Sequence, residues 1–282
     1  MYKELILSFV CVLLFSSCAK SIEDVEPSTE HVGSFNVSWR AGVNDEKKQV
    51  IRDILKDMQF VEGGTFIMGA TLEQEPFARQ NEKPAHYVTL SDFYICKNEL
   101  SIEKLSTLLD KDFSEVEYYV GAPDFSIEDY EYVISLIKNL TGINFDLPTE
   151  AQWEYAARGG KQSVGHICPG SNTLGQNVPN ELGIFNMELG KSELCKDAYY
   201  DYTNEPLSLD PCNMHGIGRV VRGGNNKSVE DTKNYHSSNN KFLHVYNDKR
   251  IGRVSARSYI ENNQSKYLFN NILCRLVIDI EK

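Results

Sequence analysis

The stretch Leu-Pro-Thr-Glu-Ala-Gln-Trp-Glu-Tyr-Ala-Ala-Arg-Gly-Gly, residues 147–160, constrains the fold of this chain more than any other. It specifies a short helix with both ends marked. Thr149 and Gln152 stand at capping-box spacing, where each side chain satisfies a backbone N–H that the first helical turn leaves open. Trp153, Ala156 and Ala157 make an apolar face at i, i+3 and i+4, Glu154 can reach Arg158 one turn on, and Gly159-Gly160 stops the helix. None of this needs a substrate, so the stretch reads first as a structural element.

The segments before it carry equally local signals. Val50, Ile51, Ile54, Leu55 and Met58 recur at helical spacing over 44–58, with Asn44 as N-cap and Asp45 and Glu46 in the first turn. Two apolar runs in 59–71 flank Glu62-Gly63-Gly64 and predict a β-hairpin, followed by strands at 87–90 and 93–96. Ser101 caps a helix with Ile102, Leu105, Leu108 and Leu109 inward. Ser126 opens another that buries Ile127, Tyr130, Val133, Ile134 and Ile137 and stops at Gly142. Residues 161–248 are rich in Gly, Asn, Ser, Tyr and Pro without a long period, and Phe185, Tyr199, Tyr200, Tyr202 and Tyr235 mark them as ordered loop rather than disorder. A strand over 272–280 ends the chain.

Charge and the N-terminus bound the environment. The net charge of -11, from 40 acidic against 29 basic side chains, repels a phosphate backbone, and no segregated basic face offsets it. The Arg-Gly-Gly triplets at 158–160 and 222–224 stand alone, so no nucleic-acid partner is expected. Lys3, the apolar run 5–15 and Ser16-Ser17-Cys18 resemble a bacterial lipoprotein signal, which implies removal of 1–17 and a lipid on Cys18. An ordinary secretory signal is the alternative, and either takes the mature chain out of the cytoplasm. Residues 18–43, with Glu23, Asp24, Glu26 and Glu30 around Pro27, read as an acidic flexible tether. Acidic residues behind a lipidated cysteine resemble the surface-export signals of Bacteroidetes lipoproteins, which implies anchoring to the outer membrane with surface display.

Of seven cysteines, Cys11 falls in the signal and Cys18 takes the lipid, leaving Cys96, Cys168, Cys195, Cys212 and Cys274. An odd number allows at most two disulfides, and no CxxC or cysteine–histidine spacing marks a zinc site. Cys195 and Cys212 are a candidate loop-closing pair, with connectivity open. The six histidines share no HxH or HxxxH spacing, and no GxSxG, P-loop or dinucleotide fingerprint occurs.

Six pieces, in order, resemble the formylglycine-generating enzyme, or sulfatase-modifying factor, family. They are FVEGGTFIMGAT at 60–71, KPAHYVTLSDFYICKNEL at 83–100, LPTEAQWEYAARGG at 147–160, PNELGIFNM at 179–187, RVVRGG at 219–224 and CRLV at 274–277. The resemblance implies an α+β, C-type-lectin-like, loop-rich single domain over 59–282, preceded by the signal 1–17, the tether 18–43 and the helix 44–58.

The same resemblance locates the chemistry. Family oxidases bind copper through two cysteines separated by four residues, and soft thiolates suit Cu(I). The matching segment here is Arg253-Val254-Ser255-Ala256-Arg257-Ser258, so the two cysteine positions hold Lys249 and Val254, neither of which can replace a thiolate. Both tryptophans and the asparagine of the family's calcium-associated segment are also missing between Met187 and Cys195, leaving Asn180 and Glu193 as weak calcium candidates. No cofactor is expected, with calcium possible. The expected role is binding of peptide, glycan or protein, with Arg253, Arg257 and Ser258 as candidates on a loop-rich face. The alternatives are a metal-dependent oxidoreductase of altered chemistry and a structural subunit of a surface or secretion machine.

Overall fold

The computed structural model describes residues 27–75, 78–111, 125–163, 178–187, 191–204, 208–223, 253–261 and 272–280. Cys18, Cys168 and Lys249 lie outside them, as does the signal. No helix among the described residues is long and apolar enough to cross a membrane.

Strands β1 (Ser28–Val32) and β2 (Phe35–Trp39) form an antiparallel hairpin. Over 28–39 this corrects the tether expected for 18–43, of which residues 18–26 lie outside the described ones. Val32, Val37 and Trp39 are buried against later helices, Trp39 Nε1 donates to Glu30 at 2.8 Å, and Arg52 holds the same carboxylate at 2.9 Å. Acidic composition suggested solvation, but the alternating Phe-Asn-Val-Ser-Trp behind Gly33 (φ 59°) is a strand with a buried face.

Helix α1 (Asp45–Asp57) starts as expected, with the Asn44 side chain accepting from the Lys47 N–H at 2.8 Å, and buries Ile51, Ile54 and Leu55. Strands β3 (Met58–Val61) and β4 (Gly64–Met68) follow, but they do not pair with each other. β3 pairs with β6 (Phe93–Cys96) and β4 with β5 (His86–Leu90), so the predicted hairpin is a crossing between two sheets. At the crossing the Gly63 N–H donates to Asp92 at 2.7 Å, and any Cβ on Gly63 would overlap the Leu90 carbonyl. The glycine permits close passage of two backbones rather than a tight turn.

Helices α2 (Ile102–Leu109) and α3 (Ile127–Thr141) begin at Ser101 and Ser126, and Gly142 (φ 74°) ends α3. After β7 (Phe145–Asp146) comes α4 (Glu150–Ala157), where Gln152 N donates to Thr149 Oγ1 at 3.1 Å and Thr149 N to Gln152 Oε1 at 2.9 Å. The remaining strands are β8 (Ser192–Ala198), β9 (Ser208–Leu209), β10 (Arg219–Arg222), β11 (Arg257–Ile260), β12 (Ile272–Cys274) and β13 (Val277–Asp279). The single strand expected over 272–280 breaks at Arg275-Leu276 because the chain changes sheets there. β12 runs parallel to β8, whereas β13 is antiparallel to β6 and β7.

Two four-stranded sheets, ordered β11-β10-β8-β12 and β3-β6-β13-β7, each separate two apolar clusters. Met58, Cys96, Leu194, Val221 and Ile278 pack with α1, α2 and α3, while Val61, Ile95, Cys195, Val220 and Val277 pack with α4. Neighbouring residues of one strand thus serve opposite cores, as the two-residue period of a strand requires.

Candidate functional site

All eight residues of α4 are buried, including Glu150 and Glu154. A buried carboxylate needs a partner. Each meets arginines from distant segments that the sequence motifs contain. Arg257 holds Glu150 through two bonds of 2.7 Å, Arg222 bonds Glu154 through NH2, and Arg158 lies 2.7 Å from the other Glu154 oxygen. The same Glu154 oxygen, Oε1, accepts from the Gly69 N–H at 2.8 Å. Burial opposes the charge on Arg222, and Glu154, Tyr202 and Glu150 outweigh it, so its pKa moves up. Arg257 follows the same balance, with Glu150 the first opposing group.

Two further pairs repeat the pattern. Arg253 holds Glu82 through two bonds of 2.6 Å, and Ser255 Oγ donates to the same carboxylate at 2.7 Å. Burial works to raise the Glu82 pKa, but Arg253, the Arg79 N–H and Ser255 hold it below the usual carboxylate value. Arg275 grips Glu193 at 2.7 and 2.9 Å, and Trp153 Nε1 donates to that carboxylate at 2.9 Å. These bidentate pairs lock the break between β12 and β13 and the start of β11 onto α4 and β8.

Two of the three binding candidates, Arg253 and Arg257, therefore need correction. Arg253 and Arg257 face no solvent, each being 1% exposed, and their guanidinium groups are engaged by Glu82 and Glu150. Arg257 is further enclosed by Tyr202 and Tyr199, whose ring centroids lie 3.8 and 4.5 Å from its central carbon. Ser258 is half-buried in β11, opposite Val221 of β10. Val254, where the resemblance would place a cysteine, is 0% exposed and packs in the apolar cluster around Trp153, Met187 and Cys195.

The calcium candidates are also committed elsewhere. Asn180 Oδ1 accepts the N–H groups of Leu182 and Ile184 at 3.1 Å, its Nδ2 donates to Ala156 at 2.6 Å, and Glu193 belongs to Arg275. Asn180 thus shapes its own loop, and both oxygens of Glu193 are bonded already. Among the described residues no three of His, Cys, Asp and Glu gather as a metal would require.

The described cysteines are free, so the candidate Cys195–Cys212 pair is not formed. Burial raises Cys195 and Cys274 well above the ordinary thiol value, and burial with Asp57 pushes Cys96 up to about 12. Cys212 is pushed up to about 11 by burial and Asp197. These thiols have little thiolate character near neutral pH, so none is a ready nucleophile or soft ligand.

Two carboxyl groups are raised: Asp197, which accepts from the Glu150 N–H at 2.8 Å and is pushed up to about 6 by burial and Glu150, and Glu99. Glu99 accepts from Lys191 N at 3.1 Å and Asn186 Nδ2 at 3.3 Å, beside Glu193 and Arg275. Burial, then repulsion from Glu193, raises its pKa from 4.5 to about 7. Sequence reasoning missed Glu82, Glu99 and Glu150, although Glu150 and Glu154 sit four apart on one helix beside an apolar face. That spacing marks one side of a helix, and buried carboxylates there call for the arginines that the other motifs supply.

This architecture defines an α+β, loop-rich protein. Among solved structures, it is similar to PvdO from Pseudomonas aeruginosa, with a TM-score of 0.57 and 18% identity over 79% of this chain and 94% of that one. The Treponema denticola variable protein 1 matches with a TM-score of 0.53 and 17% identity, over 89% of this chain and 98% of that one. These neighbours have the fold of the formylglycine-generating enzyme, and the chain has a domain of that fold. No family model matches the chain. In sequence it is similar to the serine/threonine-protein kinase pkn1 of Chlamydia pneumoniae, 28% identical over 217 residues, which cover 63% of this chain and 34% of that protein. Pkn1 of Chlamydia trachomatis serovar L2 is also 28% identical, over the same 63% and 34%. The chain thus spans about a third of the length of the curated relatives it matches.

Proposed function

We propose that this chain is a lipid-anchored, extracytoplasmic binding protein built on a formylglycine-generating-enzyme-like domain that has lost oxidase chemistry. The observation that carries this reading is Val254. At a position where the resemblance calls for a copper-binding cysteine, an aliphatic side chain lies fully buried in an apolar cluster. Fold likeness does not bring chemistry when the reacting side chain is replaced. The high thiol pKa values of the described cysteines argue in the same direction. The kinase activity in the names of the Chlamydia relatives is not carried over, because the match covers only about a third of those proteins.

The test is metal content. The purified protein, analysed for copper, iron and calcium by mass spectrometry and titrated with Cu(I), should hold no stoichiometric transition metal. One equivalent of tightly bound copper or iron would overturn the loss of oxidase chemistry and favour the metal-dependent oxidoreductase. The anchor is tested separately: Cys18→Ser should move the protein from the detergent phase to the aqueous phase in membrane extraction. Unchanged partition would remove the lipid.

A further inference from the structure

The two glycines that end α4 turn the chain toward the surface beside β3, where a second site lies apart from the Arg253–Ser258 segment. Gly159 (φ 90°) and Gly160 (φ 56°) lead into a short 3-10 helix, Gly160–Gln162. A Cβ on Gly159 would stand 2.5 Å from Glu181 Oε2, so glycine lets the 181–182 turn close over this corner. The result is a cavity of about 300 Å³ lined by Gln59, Phe60, Glu62, Lys161, Gln162, Glu181 and Leu182.

Phe60 makes the cavity unusual. It is a large apolar side chain left 42% exposed, with its ring packed against a neighbouring one. Its ring meets Tyr94 edge-on at 5.4 Å, and Tyr94 meets Phe35 at 4.8 Å, so three rings from β3, β6 and β2 form one row. Around this platform stand two amides, two carboxylates and one ammonium. Lys161 Nζ sits 2.5 Å from Glu62 Oε1.

We infer that this cavity binds a carbohydrate, one or two sugar units stacked on Phe60 and held through their hydroxyls by Gln59, Gln162, Glu62 and Glu181. The C–H face of a sugar ring is apolar and suits the negative face of an aromatic ring. Its hydroxyls both donate and accept, and amides and carboxylates can meet both functions. Other ligand classes fit less well. An anion meets two carboxylates against one lysine, on a chain of net charge -11. A purely apolar ligand would strip water from five polar side chains. A peptide adding to β3, an edge strand, would need its backbone groups, but Gln59 Nε2 already donates to the Phe60 carbonyl at 3.0 Å. The volume is at the small end of ligand pockets, which run from about 300 Å³ upward, and suits a ring or two rather than a long chain.

This inference rests on the binding role proposed above for its choice of a glycan, and not on the loss of copper chemistry. The full chain, in a detergent without sugar groups, is titrated calorimetrically with short oligosaccharides of glucose, mannose, galactose, xylose and N-acetylglucosamine. At least one series should bind. Phe60→Ala should weaken it by about tenfold or more, which corresponds to 1.4 kcal/mol, while Phe60→Trp retains it. Gln162→Ala should weaken it less, and Leu209→Ala, on an exposed strand elsewhere, should leave it unchanged. Near-UV circular dichroism of each variant checks that the fold persists. No binding by any series, or equal binding by a folded Phe60→Ala variant, overturns the site. Binding of a peptide panel in place of sugars would sink the glycan while leaving the binding role standing, and bound copper would sink the loss of oxidase chemistry while leaving the sugar result intact.

Discussion

Helix α1 buries Ile51, Ile54 and Leu55 and leaves a charged face in solvent, whereas α4 buries all eight of its residues, two glutamates among them. Both start with a capping side chain. They differ in what holds them. α1 docks by removing an aliphatic stripe from water, a non-directional force. α4 docks by directed pairs: Glu150 to Arg257, Glu154 to Arg222 and Arg158, and Trp153 to Glu193, which itself holds Arg275. Arg222 and Arg257, each more than sixty residues away in the chain, converge with the neighbouring Arg158 on one helix of two turns. The difference teaches that the most recognisable segment of the sequence is the hub of a buried ion network. Its distinctive letters follow from that role before any question of catalysis.

The contrast can be broken by mutation. Glu154→Gln removes the buried carboxylate that Arg222 and Arg158 share, so it should cost roughly 3–5 kcal/mol in urea unfolding. A loss under about 1 kcal/mol would mean that the network contributes little and α4 is held like α1. Asn44→Ala, which removes the α1 cap, should cost only about 1 kcal/mol, because the apolar stripe stays in place. A larger loss would show that α1 depends on its end rather than its face.

Glu99 sharpens the contrast from another side, since it is a half-buried carboxylate without an arginine to itself. Its pKa is about 7 in the folded protein against 4.5 unfolded. The folded state therefore keeps a proton that the unfolded state has released between these values, and stability falls as pH rises through that window. Glu99→Gln removes this loss, so the melting temperature of the variant relative to the parent should rise between pH 4.5 and about 7 and then level off. A flat difference would mean that burial and the neighbouring Glu193 do not raise this carboxyl. The smallest effect belongs to Lys161→Ala, which breaks an exposed pair with Glu62 and should change stability by roughly 0.2–1 kcal/mol or less. A larger cost would make the cavity wall part of the core.

Much of the fold was legible in the residues. The caps at Asn44, Ser101, Ser126 and Thr149, the stop at Gly142 and the aliphatic stripes are local, and each appears where its spacing placed it. The misreadings share one cause. Residues 58–68 contain two true strands whose partners are β6 and β5, residues 272–280 contain a strand that changes sheets at Arg275, and residues 28–39 form a hairpin whose burial depends on α1 and α3. Which strand accepts another's hydrogen bonds is a non-local choice, and composition carries no record of it.

The site divides in the same way. The sequence by itself determined that positions 249 and 254 hold Lys and Val, neither of which can supply a thiolate, and that a helix with a capping box starts behind Thr149. Only the tertiary structure decided that Arg253 and Arg257 point inward to Glu82 and Glu150, and that Phe60 stays at the surface over Glu62 and Lys161. The physical reason is that residue type sets what a side chain can bond with, while burial and partner, which decide whether an arginine binds a ligand or a neighbouring carboxylate, depend on chain segments brought together only by folding.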